Sequence, residues 1–340
     1  MTGTADEEAM RRAVALAAEV RATTSPNPWV GCIVEPGGFV GATRPPGGPH
    51  AEAVALAAAG EAARGATLFT TLEPCVHHGR TPPCVDAIVA AGVQRVVVGV
   101  IDPDPQVAGA GVRALLAAGI QVDTGVGDGE VAAQLAPYPK HRSTGRPWVV
   151  LKMAATLDGR TAAADGSSRW ITGPEARADA HRLRAESDAV LVGAGTVRAD
   201  DPALTVRGPG DDLPPRSEGR SGPSEGRQPL RVVLGSAPPG ARVQPAVEMG
   251  GNPGDVLDQL GARGVLQVLV EGGASVAGAF HRAGLVDRYV FYLAPALLGG
   301  DDGRPVLAGP GAATMADAWR GRIVSVRNLG ADLRVELEAR

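Results

Sequence analysis

Short apolar runs of strand length alternate with alanine-rich stretches of helix length along the first 125 residues. The runs that we predict as strands are 30–34, 66–71 and 95–100. The stretches that we predict as helices are 6–21, 51–63, 82–91 and 109–118. Strands that alternate with helices of this length are typical of an α/β layer with a mainly parallel sheet. The first part of the chain is therefore predicted to be an α/β domain.

A segment rich in proline, glycine and basic residues, 137–147, separates this part from a second set of apolar runs. Further strands are predicted at 148–153, 190–192, 230–234, 266–270, 289–294 and 323–329. At roughly 150 residues per domain, a chain of 340 residues suggests two domains, and we place them at 1–145 and 146–340. Residues 208–229 are almost all glycine, proline, serine or charged, so we predict a disordered surface loop there.

The formal charge of −4 is unevenly distributed between the two predicted domains. Residues 1–145 carry 10 basic and 14 acidic side chains, whereas residues 146–340 carry 23 of each. Neither part has the basic excess that binding to polymeric nucleic acid usually needs. We therefore expect no nucleic-acid polymer as a partner.

The three cysteines, Cys32, Cys75 and Cys84, all lie in the first quarter of the chain. An odd and sparse set argues against a disulfide scaffold and for a reducing compartment. The N-terminus has acidic residues where a signal peptide would have basic ones, and no apolar run approaches the roughly 20 residues that span a bilayer. We expect a cytoplasmic protein without a membrane partner.

His50, Cys75 and Cys84 form a possible set of metal ligands, with Glu52 two residues after the histidine. One imidazole and two thiolates suit a tetrahedral Zn²⁺ whose fourth position stays open for water, as in catalytic zinc sites. Zinc lowers the pKa of such a water toward about 7, and Glu52 could move its proton to a leaving amine. A structural zinc, or a buried histidine with two core cysteines, remains an alternative. Cys32 lies within an apolar run and is predicted to be an inert core residue.

A histidine-x-glutamate followed by a proline–cysteine pair is the signature of zinc deaminases, although eight residues here separate the two cysteines instead of two. Segments 26–28, 71–75, 77–84 and 102–105 together resemble the deaminase half of the bifunctional riboflavin-biosynthesis deaminase–reductases. The resemblance covers nearly all of residues 6–145 and implies a cytidine-deaminase-like, three-layer domain that acts on a phosphoribosylaminopyrimidine. It implies zinc on His50, Cys75 and Cys84, and Glu52 as the catalytic proton shuttle. The substrate-binding residues that it implies are Asn27, His77, His78 and Arg80.

In the second part, two glycine-rich turns, 193–196 and 272–275, directly follow apolar strands. Glycine lets a backbone approach a pyrophosphate, and free amides at a helix N-terminus favour anions. Neither turn is the full Gly-x-Gly-x-x-Gly fingerprint, so we predict no Rossmann domain, and a plain turn remains an alternative for each. Trp170 is a further candidate because it lies in a polar loop of a chain with only 3% aromatic residues. It could stack on a flat ring or simply pack against its own loop.

These turns, together with segments 151–160, 167–172, 182–185 and 200–207, resemble the reductase half of the same family, whose fold is similar to dihydrofolate reductase. The NADPH-binding residues that the resemblance implies are Ala154, Trp170, Thr196, Asp200, Gly273, Ala274, Ser275, Val276, Ala277, Gly278 and Ala279. We assign the substrate to Lys152, Ser168, Arg184, Leu204, Arg207 and Glu271. No side chain here is an obvious acid or base for hydride transfer, which fits a reaction whose chemistry the cofactor carries.

One region departs from the family pattern. Segment 235–265 is shorter, and richer in glycine and proline, than the corresponding segment of longer family members. It therefore leaves little room for an additional strand–helix unit. This departure keeps open an active deaminase whose C-terminal domain is a non-catalytic dimerisation or binding module. A nucleic-acid base editor in the first half is a third hypothesis, which the acidic balance of residues 1–145 disfavours.

Our main expectation is a bifunctional enzyme of riboflavin synthesis that works on a small-molecule substrate. Its zinc domain would remove the 2-amino group of a diaminopyrimidinone that bears a 5-phosphoribosylamino group. Its second domain would use NADPH to reduce the ribosyl ring to a ribityl chain. We also expect a homodimer or a higher homo-oligomer.

Overall fold

The computed structural model describes residues 4–78, 81–105, 107–207 and 227–339. The chain divides into two compact units, Met1–Gly145 and Arg146–Arg340. Most of the loop predicted at 208–229 lies outside the described residues. Among the helices of the described ranges, none combines the length and the apolar character needed to cross a membrane.

The first unit is an α/β domain with one five-stranded sheet. Its elements are α1 (Thr4–Thr24), β1 (Gly31–Glu35), β2 (Phe39–Ala42), α2 (Ala51–Ala59), β3 (Thr67–Leu72), α3 (Cys84–Ala91), β4 (Arg95–Val100), α4 (Ala110–Ala117), β5 (Gln121–Thr124), α5 (Asp128–Leu135) and α6 (Pro137–Thr144). A short 3₁₀ helix, Gly60–Ala63, continues α2. The strand order is β2-β1-β3-β4-β5.

The prediction of a mainly parallel sheet is wrong for half of the pairings. β3, β4 and β5 run parallel, but β1 is antiparallel to both β2 and β3. The reason is a tight hairpin between β1 and β2, in which Gly37 and Gly38 take the positive φ values that such a turn needs. Segment 137–147, predicted as a boundary, is mostly the helix α6, because a proline is tolerated at the first helical position.

Helices cover both faces of this sheet and make three layers. Gly41 of β2 faces α2 so closely that an added Cβ would lie 2.2 Å from the carbonyl oxygen of Ala51. Gly31 of β1 faces α1 in the same way, 1.9 Å from the carbonyl oxygen of Ala13. Gly41 pairs with Cys32, the neighbour of Gly31, and successive strand residues point to opposite faces. α1 and α2 therefore pack on opposite faces of the sheet.

The second unit is built on an eight-stranded sheet. Its elements are β6 (Trp148–Thr156), β7 (Arg160–Ala162), α7 (Pro174–Ala185), β8 (Ala189–Gly193), α8 (Ala194–Asp200), β9 (Leu230–Leu234), β10 (Val247–Met249), α9 (Pro253–Ala262), β11 (Gln267–Val270), α10 (Ala274–Arg282), β12 (Arg288–Ala294), β13 (Arg304–Pro305), β14 (Gly321–Leu329) and β15 (Asp332–Ala339). The order is β10-β9-β8-β11-β6-β12-β15-β14, and β7 pairs separately with β13. The first six strands are parallel, and β15 and β14 continue antiparallel.

The central strands β8 and β11 are buried along their whole length, as parallel strands covered on both faces usually are. Alternate residues of β8 belong to different cores. Leu191 packs in a cluster with Leu257 of α9 and Phe280 of α10, whereas Val190 packs in a cluster with Leu183 of α7. The helices α7 and α9 therefore lie on opposite faces of this sheet.

The prediction that 235–265 has little room for a strand–helix unit is wrong, because β10 and α9 lie there. β10 has three residues, of which Met249 alone is buried, so it is too short to show a strand pattern in the sequence. Gly254 and Gly261 interrupt the apolar pattern of α9. The N-terminus of α9 is nevertheless capped, because the Asn252 side chain accepts a hydrogen bond from the backbone N–H of Asp255 at 3.0 Å.

Candidate functional site

The three predicted zinc ligands of the first unit lie together. His50 directly precedes α2, Cys75 follows β3, and Cys84 is the first residue of α3. Their ligand atoms are all within 4.8 Å of one another, and His50 Nδ1 lies 3.3 Å from Cys84 Sγ and 3.6 Å from Cys75 Sγ. Zn–S and Zn–N bonds of about 2.3 and 2.0 Å in a tetrahedron separate nitrogen from sulfur by about 3.5 Å. The donor set therefore fits zinc.

Neighbouring groups orient these donors. Thr81 Oγ1 lies 3.4 Å from His50 Nε2, which leaves Nδ1 as the nitrogen that faces both sulfurs. The backbone N–H of Cys84, at the start of α3, donates to Cys75 Sγ at 3.4 Å. Hydrogen bonds from the Cys84 thiol and from His50 outweigh burial and lower the pKa of the Cys75 thiol. The surroundings of Cys75 thus favour its thiolate, the form that binds metals.

Glu52 lies in the first turn of α2, next to these ligands. Its side chain is almost fully buried, and its Oε2 lies 3.5 Å from Cys84 Sγ. Burial raises the pKa of the Glu52 carboxyl. A raised pKa makes this carboxylate a better proton acceptor than an exposed glutamate, which is a property that a proton shuttle needs.

The other residues assigned to this unit are less constrained. Asn27 is partly exposed after α1, and His77 and His78 are exposed shortly after Cys75, so their contact with a substrate stays a prediction. Arg80 lies outside the described residues. Cys32 is completely buried in β1, consistent with a core residue.

The second unit contains a cavity of about 960 Å³ at the carboxyl ends of β6, β8 and β11, the usual position of a ligand site on parallel strands. This volume is at the upper end for small-molecule sites and has room for both a cofactor and a substrate. Predicted cofactor residues that line it are Ala154, Trp170, Thr196, Asp200, Gly273, Ala274, Ser275 and Val276. Predicted substrate residues that line it are Lys152, Ser168, Arg184, Leu204, Arg207 and Glu271.

The C-terminal end of the predicted cofactor segment does not line this cavity. Ala277, Gly278 and Ala279 are not among the residues that line the cavity, because residues 274–282 form a helix and not an open turn. Ala277 packs in the apolar core. Gly278 packs against the backbone of Ala308, where a Cβ would lie 2.1 Å from the carbonyl oxygen. The first turn of α10 therefore faces the cavity, and the next turn faces the protein.

A buried cluster of charges occupies one side of the cavity. Arg184 donates to both carboxylate oxygens of Glu271, at 2.5 and 2.9 Å, and Lys152 Nζ lies 3.7 Å from Glu271 Oε2. Burial would raise the pKa of Glu271, but Arg184 and Lys152 outweigh it and hold the pKa at about 2. Burial lowers the pKa of Lys152, and Glu271 opposes this effect. Glu271 is thus an ionised partner that favours the charged form of Lys152 against the effect of burial.

Arg177 and His181 are among the basic residues of this cavity that sequence reasoning missed. They share one face of α7 with Arg184, because the three residues are four and then three positions apart along the helix. This helical spacing is the sequence pattern from which they could have been predicted. His181 Nδ1 accepts a hydrogen bond from the backbone N–H of Arg207 at 3.2 Å. The guanidinium carbon of Arg177 lies 4.6 Å from the centre of the Trp170 ring, and Trp170 is 66% exposed.

A zinc-ligand triad beside a buried glutamate, joined to a second unit with a nucleotide-sized cavity, defines a zinc deaminase fused to a dihydrofolate-reductase-like reductase. Family models agree: "cytidine and deoxycytidylate deaminase zinc-binding region" matches residues 4–100, and "RibD C-terminal domain" matches residues 147–335.

Similar proteins with known names identify the family within this class. Riboflavin biosynthesis protein RibD of Mycobacterium tuberculosis is 46% identical over 98% of this chain and 97% of its own length. The structure of Acinetobacter baumannii RibD, form 1, aligns with a TM-score of 0.88 at 38% identity, over 98% of each chain. A Thermotoga maritima diaminohydroxyphosphoribosylaminopyrimidine deaminase/5-amino-6-(5-phosphoribosylamino)uracil reductase aligns with a TM-score of 0.85 at 33% identity, over 98% of this chain and 99% of that one.

The chain belongs to the RibD family of riboflavin biosynthesis proteins. It is a bifunctional enzyme with a zinc-dependent deaminase domain and an NADPH-dependent reductase domain. This result confirms the predicted fold class, both activities and both cofactors.

Proposed function

We propose that the first unit hydrolyses the 2-amino group of 2,5-diamino-6-(5-phosphoribosylamino)pyrimidin-4(3H)-one and releases ammonia. The second unit then reduces the ribosyl group of the product, 5-amino-6-(5-phosphoribosylamino)uracil, to a ribityl group. The Thermotoga maritima relative, named for both reactions, supports these substrates. The observation that carries the proposal is the zinc-ligand triad beside buried Glu52 in a chain that also has the reductase cavity.

In the deaminase reaction, His50, Cys75 and Cys84 would hold the zinc, which supplies a Lewis acid that activates water at neutral pH. Glu52 takes a proton from the attacking water and delivers it to the departing nitrogen. One C–O bond forms, one C–N bond breaks, and the amine leaves as ammonia. The raised pKa of Glu52 suits both halves of this transfer. Asn27, His77, His78 and Arg80 complete the proposed substrate site.

In the reductase reaction, NADPH would supply a hydride to C1′ of the ribosyl group, whose C1′–O4′ bond opens while O4′ takes a proton from solvent. The cofactor residues are Ala154, Trp170, Thr196, Asp200 and the start of α10 at 273–276. The substrate residues are Lys152, Ser168, Arg184, Leu204, Arg207 and Glu271. Arg184 and Lys152 bring positive charge toward a phosphorylated substrate, and Glu271 holds both cations in place.

The zinc assignment is tested by Cys75→Ala in the full chain, with Cys32→Ala as the matched control. The Cys75 variant should lose the bound zinc and release ammonia at least about 10³-fold more slowly, because activation of water depends on the metal. It should still oxidise NADPH when the deaminated intermediate is supplied. Metal analysis, ammonia release and NADPH absorbance measure these three quantities.

The Cys32 control should keep one zinc per chain and its deaminase activity, because Cys32 is a buried core residue and not part of the triad. If the Cys75 variant retained zinc and ammonia release, the ligand assignment would be wrong. If the wild-type protein bound zinc but did not deaminate the diaminopyrimidinone, the substrate assignment would be wrong instead.

We further propose a homodimer or higher homo-oligomer that pairs through β14. This strand lies at the edge of the eight-stranded sheet, and its Ile323 and Val326 are 59% and 56% exposed. A long edge strand with exposed apolar residues is prone to pair with another chain. Light scattering should give a multiple of the 34.5 kDa chain mass, and Ile323→Lys should reduce it. A monomeric wild-type protein would contradict the proposal.

A reducing, cytoplasmic setting is part of the same proposal, because Cys75 and Cys84 must stay reduced to bind zinc. All three cysteines of the chain are free thiols. Cell fractionation should recover the protein with cytoplasmic markers, and recovery with an oxidising compartment would contradict this.

A further inference from the structure

Glu73 connects the last residue of β3 to the segment that carries the zinc ligand Cys75. Its backbone N–H donates to the carbonyl oxygen of Val100 at 3.0 Å, which extends the β3–β4 pairing by one residue. Its side chain is 3% exposed and is not part of the ligand triad. A buried acidic side chain beside a metal site needs a structural or functional reason.

The Glu73 carboxylate accepts three backbone N–H groups. Oε2 accepts from Asp102 at 3.1 Å and from Gly109 at 2.9 Å, and Oε1 accepts from Val112 at 3.0 Å. Gly109 and Val112 begin α4, and Gly109 has no side chain that could cap the helix. Glu73 therefore caps α4 from a distant part of the chain, and the negative charge at a helix N-terminus adds to this contact.

A second contact joins the same two segments. Gly111, in the first turn of α4, packs on Pro74 so closely that a Cβ would lie 2.1 Å from the Pro74 carbonyl oxygen and 3.1 Å from Glu73 Cγ. Any side chain at position 111 would push Pro74 away from α4. Glu73 and Pro74 are thus both attached to α4, immediately before Cys75.

Cys75 is held from its other side by α3. The backbone N–H of Cys84 donates to Cys75 Sγ, and the backbone N–H of Val85 donates to the Cys75 carbonyl oxygen at 3.3 Å. The thiol therefore has one support from α3 and another, through Glu73, from α4. Loss of the second support would leave the separation between Cys75 Sγ and His50 Nδ1 free to vary.

We propose that Glu73 is a positioning residue of the deaminase: by anchoring the segment before Cys75 to α4, it holds the Cys75 sulfur at ligand distance from His50 and Cys84. The inference rests on the zinc-ligand assignment proposed above. Glu73 acts through Cys75 and does not touch the reacting atoms.

The decisive variant is Glu73→Gln in the full chain. Glutamine has nearly the same size, but its NH₂ group is a donor, so at least one N–H now faces another N–H. These two buried N–H donors then lack a hydrogen-bond acceptor, and the segment before Cys75 loses its fixed position. Glu35→Gln is the matched control, because Glu35 also accepts a backbone N–H, from Gly38, but in the β1–β2 turn.

Three readouts separate positioning from general stability. Glu73→Gln should release zinc to a chromogenic chelator about 10- to 100-fold faster than wild type, the usual effect of losing a group that orients a ligand. The cobalt-substituted variant should show altered thiolate-to-metal absorption bands. The deaminase kcat should fall about 10-fold or more with little change in KM, while the reductase activity of the same chain stays at its wild-type value. Glu35→Gln should resemble wild type in all three.

Wild-type zinc release and cobalt spectrum in Glu73→Gln, with a lower melting temperature alone, would overturn the proposal. If Glu73→Gln does not fold, Gly111→Ala decides, because its Cβ would press on the Pro74 carbonyl oxygen and on the Glu73 side chain and so disturb the same anchor without changing the chemistry of Glu73. Rapid zinc release by Gly111→Ala supports the proposal, and wild-type release contradicts it. Failure of the ligand assignment itself is distinguishable, since Cys75→Ala would then keep its zinc.

Discussion

Lys152 is the residue whose charge depends most clearly on one neighbour. Burial lowers its pKa, and the carboxylate of Glu271 raises it. A lysine is charged below its pKa, so a further fall of the pKa would make Lys152 neutral at a lower pH. Removal of the Glu271 charge would also take away the negative charge that both Lys152 and Arg184 contact.

Glu271→Gln should therefore shift the alkaline limb of the reductase pH profile to lower pH. We expect a shift of about one pH unit or more in kcat/KM, because a buried neighbouring charge commonly changes a pKa by that amount. The profile should be measured from pH 6 to 10 with the deaminated substrate. Glu338→Gln, which alters an ion pair with Arg288 outside the cavity, should leave the limb unchanged. An unshifted limb in the Glu271 variant would show that Lys152 does not depend on it.

Single-residue chemistry could be predicted from the sequence where the donor type is distinctive. His50, Cys75 and Cys84 were identifiable because few side chains bind zinc. The ion pair between Arg184 and Glu271 could not be predicted, because which cation faces the carboxylate depends on how α7 packs beside β11. The contacts of Glu73, which lies in the motif segment 71–75, could not be predicted for a similar reason, since its three partners are backbone N–H groups that nearly every residue type provides.

At the level of elements, the packing of α2 on β2 controls the deaminase site, because α2 begins next to His50 and carries Glu52. An added Cβ at Gly41 would lie 2.2 Å from the Ala51 carbonyl oxygen and 2.5 Å from the Ala55 nitrogen. Both atoms belong to the backbone of α2, so the helix as a whole must move. A shift of α2 would therefore displace both His50 and Glu52.

Gly41→Ala should lower the free energy of unfolding by about 1–3 kcal/mol, the usual cost of overpacking, and should reduce deaminase activity more than reductase activity. Gly129→Ala is the control: it lies within α5 and has no heavy atom within 4 Å of a Cβ. It should raise the free energy of unfolding by about 0.4–1 kcal/mol. Urea titrations of both variants measure the difference, and a stabilising Gly41→Ala would contradict the described packing.

Buried apolar strands bounded by turn residues were the elements most readily predicted from the sequence. β4 and β9 lie at the predicted positions because they are apolar runs bounded by turn residues. β2, β5 and β10 are short and partly exposed, so their sequences carry little strand signal. The antiparallel hairpin of β1 and β2 depends on glycine conformations in its turn, which strand-and-helix alternation does not reveal.

At the level of the whole molecule, each compact unit has its own ligand chemistry. The zinc triad lies within Met1–Gly145, and the cavity residues lie within Arg146–Arg340. A ligand that binds only a folded unit stabilises that unit. The two activities and the two unfolding transitions should therefore respond to different ligands.

Removal of zinc with a chelator should abolish ammonia release and lower the unfolding temperature of the first unit. The protein should still reduce supplied deaminated substrate with NADPH. NADPH at 100 times its Kd should stabilise the reductase unit by about 2.7 kcal/mol. Scanning calorimetry and the two assays measure these effects, and excess zinc should restore ammonia release. Loss of the reductase activity on chelation would mean that the two units are coupled.

The enclosed position of Lys152 has a practical consequence for chemical labelling. The sequence contains only one other lysine, Lys140, which lies in α6 of the first unit. An amine-directed acylating reagent can therefore react with just two lysine side chains and the N-terminal amine. Because Lys152 lines the reductase cavity, its acylation requires access to that cavity, whereas Lys140 provides an internal reference in the same spectrum. Filling of the reductase site should therefore lower the labelling of Lys152 relative to that of Lys140.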